Sequence, residues 1–367
     1  MIYGFSIYYL ISIVALFAVL WRGIVFLLKK RQGYRKAKKN MLKLNLSLAA
    51  CMVLLFMLFA EVTFALFYVQ TDAFNMTSSS KRWFNLYLEN QRNESGWRDS
   101  EEFVKRLPDD QKRICFIGDS FTVGHGIRNI NNRFSNLIEE KLNKNHPGKY
   151  QVANLADPGL EISQIEARTR GVFQGGYQVD HLVYVMCLND IEGYDTESKE
   201  NLTKLGDVGP RNFVLKNSYL PNWLYFRYLQ YTRKEVRDYY PHLKKSYDSF
   251  AWTGFSRKFK SLSDLCKSKN VQFSVVIFPF LHDLNSESSF ISVHKKVEKF
   301  CKKNHIPVVD LEPVMRKHAD ENLVVNRFDA HPNEKANQYA AEAIYNALLK
   351  THPQKKSEEP SSKEDSK

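Results

Sequence analysis

The pattern of hydrophobic and polar positions divides the chain into two parts. Residues 5–28 and 44–69 are long, almost uncharged apolar runs, whereas all later apolar runs are short. Each long run is sufficient to cross a hydrocarbon layer of about 30 Å at about 1.5 Å per residue. A cleavable signal peptide competes for the first run, which lacks both preceding basic residues and a small-residue cleavage pattern. We therefore predict a two-helix transmembrane anchor over residues 1–70.

The segment between the runs, residues 29–43, is strongly basic. Its basic residues are Lys29, Lys30, Arg31, Arg35, Lys36, Lys38, Lys39 and Lys43. Short basic loops stay in the cytoplasm, so we predict that the N-terminus and the large C-terminal part are periplasmic or extracellular. The same eight residues supply most of the net charge of +13, which removes the main support for a nucleic-acid partner.

Two ionisable residues, Arg22 and Glu61, lie inside the apolar runs. In the predicted orientation they occupy opposite leaflets, so we expect each to extend toward its nearest interface rather than to pair with the other. No function is assigned to either.

Beyond a polar connector at 71–112, the pattern predicts alternating strands and helices. The apolar runs that indicate strands are 113–117, 151–155, 181–187, 271–278 and 306–310. The segments with helical spacing are 128–145, 161–174, 256–269, 290–304 and 333–350. Alternation of this kind predicts an α/β domain over 113–350, with a parallel sheet covered by helices on both faces. Residues 351–367 are charged and Ser/Pro-rich, which predicts a disordered tail.

A long aromatic insertion at 193–255 interrupts the alternation. Within it, residues 219–240 have the spacing of one aromatic amphipathic helix. Such a stripe usually packs in a core, but an insertion of this length also suits a lid or a substrate rim.

The cysteines do not form a disulfide framework. Cys51 lies in an apolar run, and Cys115 and Cys187 lie in predicted strands. Cys266 and Cys301 each precede a strand, which leaves a bridge between them open. The sequence has no zinc-ligand spacing, P-loop or dinucleotide fingerprint, so we expect neither a metal nor a cofactor.

The first predicted strand ends at Gly118 and delivers Ser120 to the start of a helix-like segment. A serine there stands clear of the sheet beside backbone N–H groups, as a hydrolytic nucleophile requires, although a helix cap has the same residues. A serine nucleophile needs a base and an orienting carboxylate. His331 and Asp329 offer both, and in an extended segment their side chains point the same way. His125 lies close to Ser120 in the sequence, where it could shape the pocket, but we expect it to be a surface residue near the helix start.

Two further groups follow predicted strands. Gly159 offers an unobstructed backbone N–H, and Asn189 offers a side-chain amide. Both suit an oxyanion hole together with the N–H of Ser120. All of these groups fall after the carboxyl ends of strands, where open parallel sheets bind ligands.

These four separated blocks resemble the SGNH hydrolases, also called the GDSL esterase and lipase family, over about residues 95–350. The resemblance implies a flavodoxin-like, three-layer α/β/α sandwich with a five-stranded parallel sheet. It also implies that Ser120 is the nucleophile, His331 the base and Asp329 its acid, with Ser120, Gly159 and Asn189 as the oxyanion hole. Residues 93–99 look like the lead-in of membrane-anchored bacterial members. The chain departs from the family pattern at Cys187, where a glycine is usual, and in its Asp-x-His spacing.

The leading hypothesis is a membrane-anchored serine esterase that hydrolyses O-acyl or O-acetyl esters of a glycan or lipid outside the cytoplasm. Transfer of the acyl group to a cell-envelope polysaccharide uses the same residues and is the nearest alternative. A non-catalytic envelope scaffold or carbohydrate-binding protein, with the insertion as its binding surface, is the third.

Overall fold

The protein is described by a computed structural model over residues 3–37, 40–197, 200, 209–286 and 290–350. The predicted tail at 351–367 and part of the insertion lie outside the described residues. The strands are β1 Lys112–Gly118, β2 Tyr150–Asn154, β3 His181–Cys187, β4 Gln272–Phe278, β5 Val308–Asp310, β6 Val324–Asn326 and β7 Asp329–Pro332. The helices are α1 Ile7–Lys36, α2 Leu42–Phe67, α3 Ser78–Tyr87, α4 Ser120–Val123, α5 Phe134–Asn145, α6 Ile162–Gln174, α7 Phe213–Lys216, α8 Leu220–Thr232, α9 Lys234–Arg237, α10 Tyr239–Ser246, α11 Phe250–Ser268, α12 Ile291–Lys303, α13 Glu312–Arg316 and α14 Glu334–Ile344.

The first five strands form one parallel sheet in the order β2-β1-β3-β4-β5. This is the flavodoxin-like order, in which the connections reverse direction beside β1 and leave a crevice at the carboxyl ends of β1 and β3. Every residue of β3 is buried, because this strand lies at the centre of the sheet and both of its faces are covered. The predicted five-stranded α/β/α fold is confirmed, and each strand begins and ends within two residues of its prediction.

Helices cover the sheet in two packed pairs, α5 with α14 and α6 with α11. In α11 the buried residues Phe255, Phe259, Leu262 and Cys266 recur every three or four positions, so they form one apolar stripe against the sheet. All five cysteines are free, and Cys266 and Cys301 are buried separately as small apolar side chains.

Two predicted helices differ from the structure, and one hairpin was not predicted. The helix predicted from residue 128 begins at Phe134, after a 3-10 turn. The single helix predicted at 219–240 is three helices, because Arg233 is extended between α8 and α9 and α10 starts at Tyr239. Strands β6 and β7 were not predicted, since an antiparallel hairpin this short has no apolar run of its own.

Helices α1 and α2 are both long and apolar enough to cross a membrane. Helix α1 continues to Lys36, so most of the basic segment predicted as a loop at 29–43 is helical. Lys and Arg are good helix formers, and a helix that leaves the apolar layer has no reason to end where its composition changes.

Glu61 has protein partners that the sequence did not predict. Its carboxylate is buried and accepts hydrogen bonds of 2.7 Å from the backbone N–H groups of Tyr219 and Leu220, at the start of α8. The first N–H groups of a helix lack intrahelical partners and attract negative charge, so this carboxylate caps α8. Arg22, in contrast, is exposed on α1.

Candidate active site

The candidate nucleophile stands on a tight turn after β1. Gly118 has no room for a side chain, because a Cβ would lie 2.3 Å from Oγ1 of Thr122 and 2.5 Å from the carbonyl oxygen of Val185. Asp119 then caps α4 by accepting a 2.9 Å hydrogen bond from the N–H of Phe121. Ser120 is thereby the first residue of α4, at the carboxyl edge of the sheet.

A buried arginine from the predicted connector holds the loop that follows α4. The Arg98 guanidinium donates to the carbonyl oxygens of Val123 (3.0 Å), Gly124 (2.7 Å) and Ile127 (2.5 Å). Arg98 is fully buried, and burial lowers its pKa to about 8. The sequence singled out residues 93–99 without assigning them a physical role, and here they brace the nucleophile loop.

The hairpin of β6 and β7 carries the candidate base and acid. His331 Nε2 lies 2.8 Å from Oγ of Ser120, and His331 Nδ1 lies 2.5 Å from Oδ1 of Asp329. The carboxylate accepts the Nδ1 proton, which leaves Nε2 free to accept the serine hydroxyl proton. Thus the three residues, predicted from two separate blocks, meet as a Ser-His-Asp chain of hydrogen bonds.

The electrostatics of this chain suit proton transfer. Burial disfavours the charged form of His331, but the charge and hydrogen bond of Asp329 outweigh burial and raise the His331 pKa above its ordinary value. Burial likewise opposes ionisation of Asp329, yet His331 and His125 hold the Asp329 pKa well below its usual range. The carboxylate is therefore charged at neutral pH and stabilises a protonated His331.

Two residues missed by the sequence contact the other oxygen of Asp329. The Thr71 hydroxyl donates to Oδ2, and His125 Nε2 approaches Oδ2 at 3.3 Å. His125 also stacks on His331, with ring centroids 4.1 Å apart. Burial, reinforced by the nearby charge of His331, lowers the His125 pKa.

The prediction of a surface His125 is wrong. The side chain is only 3% exposed, because Gly124 ends α4 in the left-handed conformation (φ +78°) and turns the chain inward. A histidine between two glycines was visible in the sequence, but its burial depends on a turn that sequence spacing does not reveal.

Gly159 and Asn189 line the same cavity as Ser120 and His331. Gly159 has φ +74° and no atom near the position of a missing Cβ, so its backbone is open to a ligand. Burial raises the pKa of Asp119, and the nearby Asn189 side chain opposes that shift. All five predicted site residues are thus brought to one site, while the oxyanion-hole role stays a prediction.

The cavity has a volume of about 380 Å³, and aromatic side chains form part of its lining. They include Phe74, Tyr239, Tyr240 and Phe280. Glu192 also faces the cavity, and burial, opposed by a hydrogen bond from Tyr239, raises its pKa to about 7. The aromatic insertion therefore supplies part of the cavity wall through Tyr239 and Tyr240.

His125, Asp329 and His331 also place three potential metal-ligand atoms within 4.8 Å of one another. Both ring nitrogens of His331 are already hydrogen-bonded, to Asp329 and to Ser120. The arrangement is that of a proton-transfer chain, and we infer no metal site from it.

No protein-family model matches the sequence, and no curated protein matches it. Solved structures to which the chain is similar include a lipolytic protein of the G-D-S-L family from Veillonella parvula DSM 2008 (12% identity, TM-score 0.39, 65% of this chain and 98% of that chain). They also include a catalytic mutant of an acetylxylan esterase from Geobacillus stearothermophilus (14%, 0.41, 66% and 96%). A third is the psychrotrophic esterase EstA from Pseudoalteromonas sp. (13%, 0.40, 65% and 98%). These identities are too low to transfer an activity to this chain, so its chemistry is argued from the geometry of the site.

Proposed function

We propose that the chain is a membrane-anchored serine esterase that hydrolyses O-acyl or O-acetyl esters. The observation that carries the proposal is the continuous chain from Ser120 Oγ through His331 to Asp329, with separations of 2.8 and 2.5 Å. A tight nucleophile turn, a cavity beside it and an ionised carboxylate behind the base are the parts that acyl transfer requires.

In the proposed reaction, Oγ of Ser120 attacks the ester carbonyl while His331 Nε2 takes the hydroxyl proton. The negative oxygen that forms is stabilised by the N–H groups of Ser120 and Gly159 and by the Asn189 amide. His331 then gives its proton to the departing alcohol, which leaves an acyl-serine. Water, deprotonated by the same imidazole, releases the acid and restores Ser120.

We further propose that α1 and α2 cross the membrane and that the site lies outside the cytoplasm. The basic residues at one end of the two spans support this orientation by the positive-inside rule. The site then faces the periplasm or the cell exterior, where acylated envelope glycans and lipids are available as substrates.

The direct test is turnover of a model acetyl ester by the full-length protein in detergent. Ser120→Ala should abolish turnover while leaving the unfolding temperature unchanged, because the Ser120 side chain contributes little packing. The matched control is Ser268→Ala on the exposed end of α11, which should retain full activity. Equal activity in Ser120→Ala and wild type would remove the proposal.

Acyl transfer to a polysaccharide hydroxyl is the second candidate. The observation in its favour is Glu192, whose Oε1 is buried among the described residues without a hydrogen-bond partner and is suited to accept from a hydroxyl in the cavity. Reaction in the presence of a glycan acceptor separates the two candidates. Transfer yields O-acylated sugar that requires Ser120, whereas hydrolysis yields free acid alone.

A further inference from the structure

Helix α8 of the aromatic insertion has an apolar face without a protein partner in the described structure. Leu224, Tyr228 and Tyr231 are 54%, 65% and 71% exposed and recur at intervals of four and three residues. They therefore form one stripe along the helix. The opposite side of α8 packs against the protein, since Phe226 and Leu229 are buried against the domain. An exposed stripe of this kind indicates a partner surface.

The position of α8 beside the membrane helices identifies that partner. Its first turn is bound by Glu61, which lies about 9 Å before the end of α2 at about 1.5 Å per residue. The ring of Tyr219, immediately before α8, lies 5.5 Å from that of Phe5 and 5.0 Å from that of Tyr9. Together these contacts place the start of α8 level with the first turn of α1 and the last two turns of α2.

The length of α2 sets the depth of this contact. With 26 residues α2 is about 39 Å long, about 9 Å more than a hydrocarbon layer of about 30 Å. If Lys43 marks one boundary of that layer, the other boundary lies close to Glu61. Helix α8 therefore begins at the boundary between lipid tails and headgroups.

The flanking segments have the composition of the same boundary. Helix α7 exposes Phe213 and Val214 (69% and 61%), and it is tied to α8 by a 2.9 Å hydrogen bond from the Asn222 side chain to the carbonyl oxygen of Leu215. At the other end of α8, Arg233 and Lys234 are exposed. Aromatic and aliphatic side chains followed by cations suit lipid tails and then headgroup phosphates.

We propose that α8 lies in the outer lipid–water interface, with Leu224, Tyr228 and Tyr231 in contact with the bilayer. The proposal rests on the transmembrane anchor of the proposed function and does not depend on the chemistry at Ser120. It gives the aromatic insertion a role as a second membrane contact, in addition to its supply of Tyr239 and Tyr240 to the wall of the catalytic cavity.

The test uses the full-length chain, with Cys51→Ala to remove the cysteine in α2, reconstituted in phosphatidylcholine vesicles. A fluorescent probe is attached to Tyr228→Cys and, separately, to Leu224→Cys and Tyr231→Cys, and is quenched with lipids that carry a nitroxide on the acyl chain. Phe17→Cys on α1 is the membrane control, and Lys267→Cys on the exposed end of α11 is the solvent control. Variants that no longer elute at the wild-type volume in size-exclusion chromatography are excluded. Three stripe positions are used so that the test still gives an answer if one of them is lost in this way.

We expect the probes on α8 to lose fluorescence as the probe at residue 17 does, while the probe at residue 267 does not. Quenching at 17 with none at any α8 position would overturn the proposal and leave the anchor intact. Absence of quenching at 17 as well would reject the anchor itself. Disulfide-linked dimers of Tyr228→Cys without lipid quenching would assign the stripe to a second copy of the chain and likewise overturn the proposal.

Discussion

The two halves of the candidate site are supported by different parts of the molecule. Ser120 follows β1, an interior and largely buried strand of the main sheet, and its loop is held by the Arg98 guanidinium. Asp329 and His331 lie on a two-stranded hairpin outside the main sheet. That hairpin is braced by the segment that leaves α2, because the Thr71 hydroxyl donates to Asp329 and the Asn326 side chain donates to the Thr71 carbonyl oxygen at 3.1 Å.

The difference shows how the proposed anchor and the proposed chemistry are joined. Thr71 lies only four residues beyond the end of α2, so this apolar helix ends beside Asp329, the proposed acid. The nucleophile half depends on the core of the domain, while the acid–base half depends in part on the segment that leaves α2. A fragment that starts at residue 72 would therefore contain every predicted catalytic residue and still lack a support of Asp329.

The largest effect on kcat is expected from a substitution of the acid in the acid–base half. Asp329→Asn should lower kcat by about 10⁴-fold, because a neutral amide neither fixes the productive tautomer of His331 nor stabilises its charge. The measurement is steady-state hydrolysis of a model acetyl ester. A loss below about tenfold would show that Asp329 is not the acid.

Removal of the side chain that supports the nucleophile loop should lower the free energy of unfolding. Arg98→Met removes one hydrogen bond from each of three buried carbonyl oxygens, of which those of Val123 and Gly124 keep a longer second hydrogen bond. The loss should lower the free energy of unfolding by about 3 kcal/mol. Denaturant unfolding in detergent measures the change. The matched control is Arg106→Met, an exposed arginine of the same connector, whose stability should equal that of wild type. Equal losses of unfolding free energy in both variants would show that Arg98 does not support the nucleophile loop.

Thr71→Val should lower kcat by about tenfold with little change in KM or stability, since it removes one hydrogen bond to a charged group that substrate does not touch. Thr71→Ser keeps the hydroxyl and should restore the rate. The control is Thr253→Val on the exposed surface of α11. If Thr71→Val and Thr71→Ser are equally impaired, the hydroxyl has no role in positioning Asp329.

The smallest effect is a shift in the pH dependence. His331 must be neutral to act as a base, and Asp329 raises its pKa, so kcat/KM should rise with pH through a pKa above the ordinary value of about 6.5. Asp329→Asn removes the charge and leaves burial dominant, which should move the residual ascending limb to lower pH. An unmoved or higher limb would contradict the coupling.

The sequence predicted the sheet and the five site residues because those signals are local. Buried parallel strands read as continuous apolar runs, and the nucleophile turn and the Asp-x-His segment each fit within a few residues. The contacts of Thr71, His125 and Glu61 were not predictable, because they join residues far apart in the chain through turns whose direction is set by packing. Glu61 shows this most clearly, since its partners are the N–H groups of a helix more than 150 residues away.

The central claim is that Ser120 is an activated nucleophile, and covalent labelling with a fluorophosphonate probe tests it most directly. The full-length protein in detergent is treated with the probe, digested and examined by mass spectrometry, with Ser120→Ala and heat-unfolded protein as controls. The account predicts one adduct, on Ser120, that is absent from both controls. Failure of folded wild-type protein to label at Ser120 would contradict it and favour a non-catalytic role for the fold.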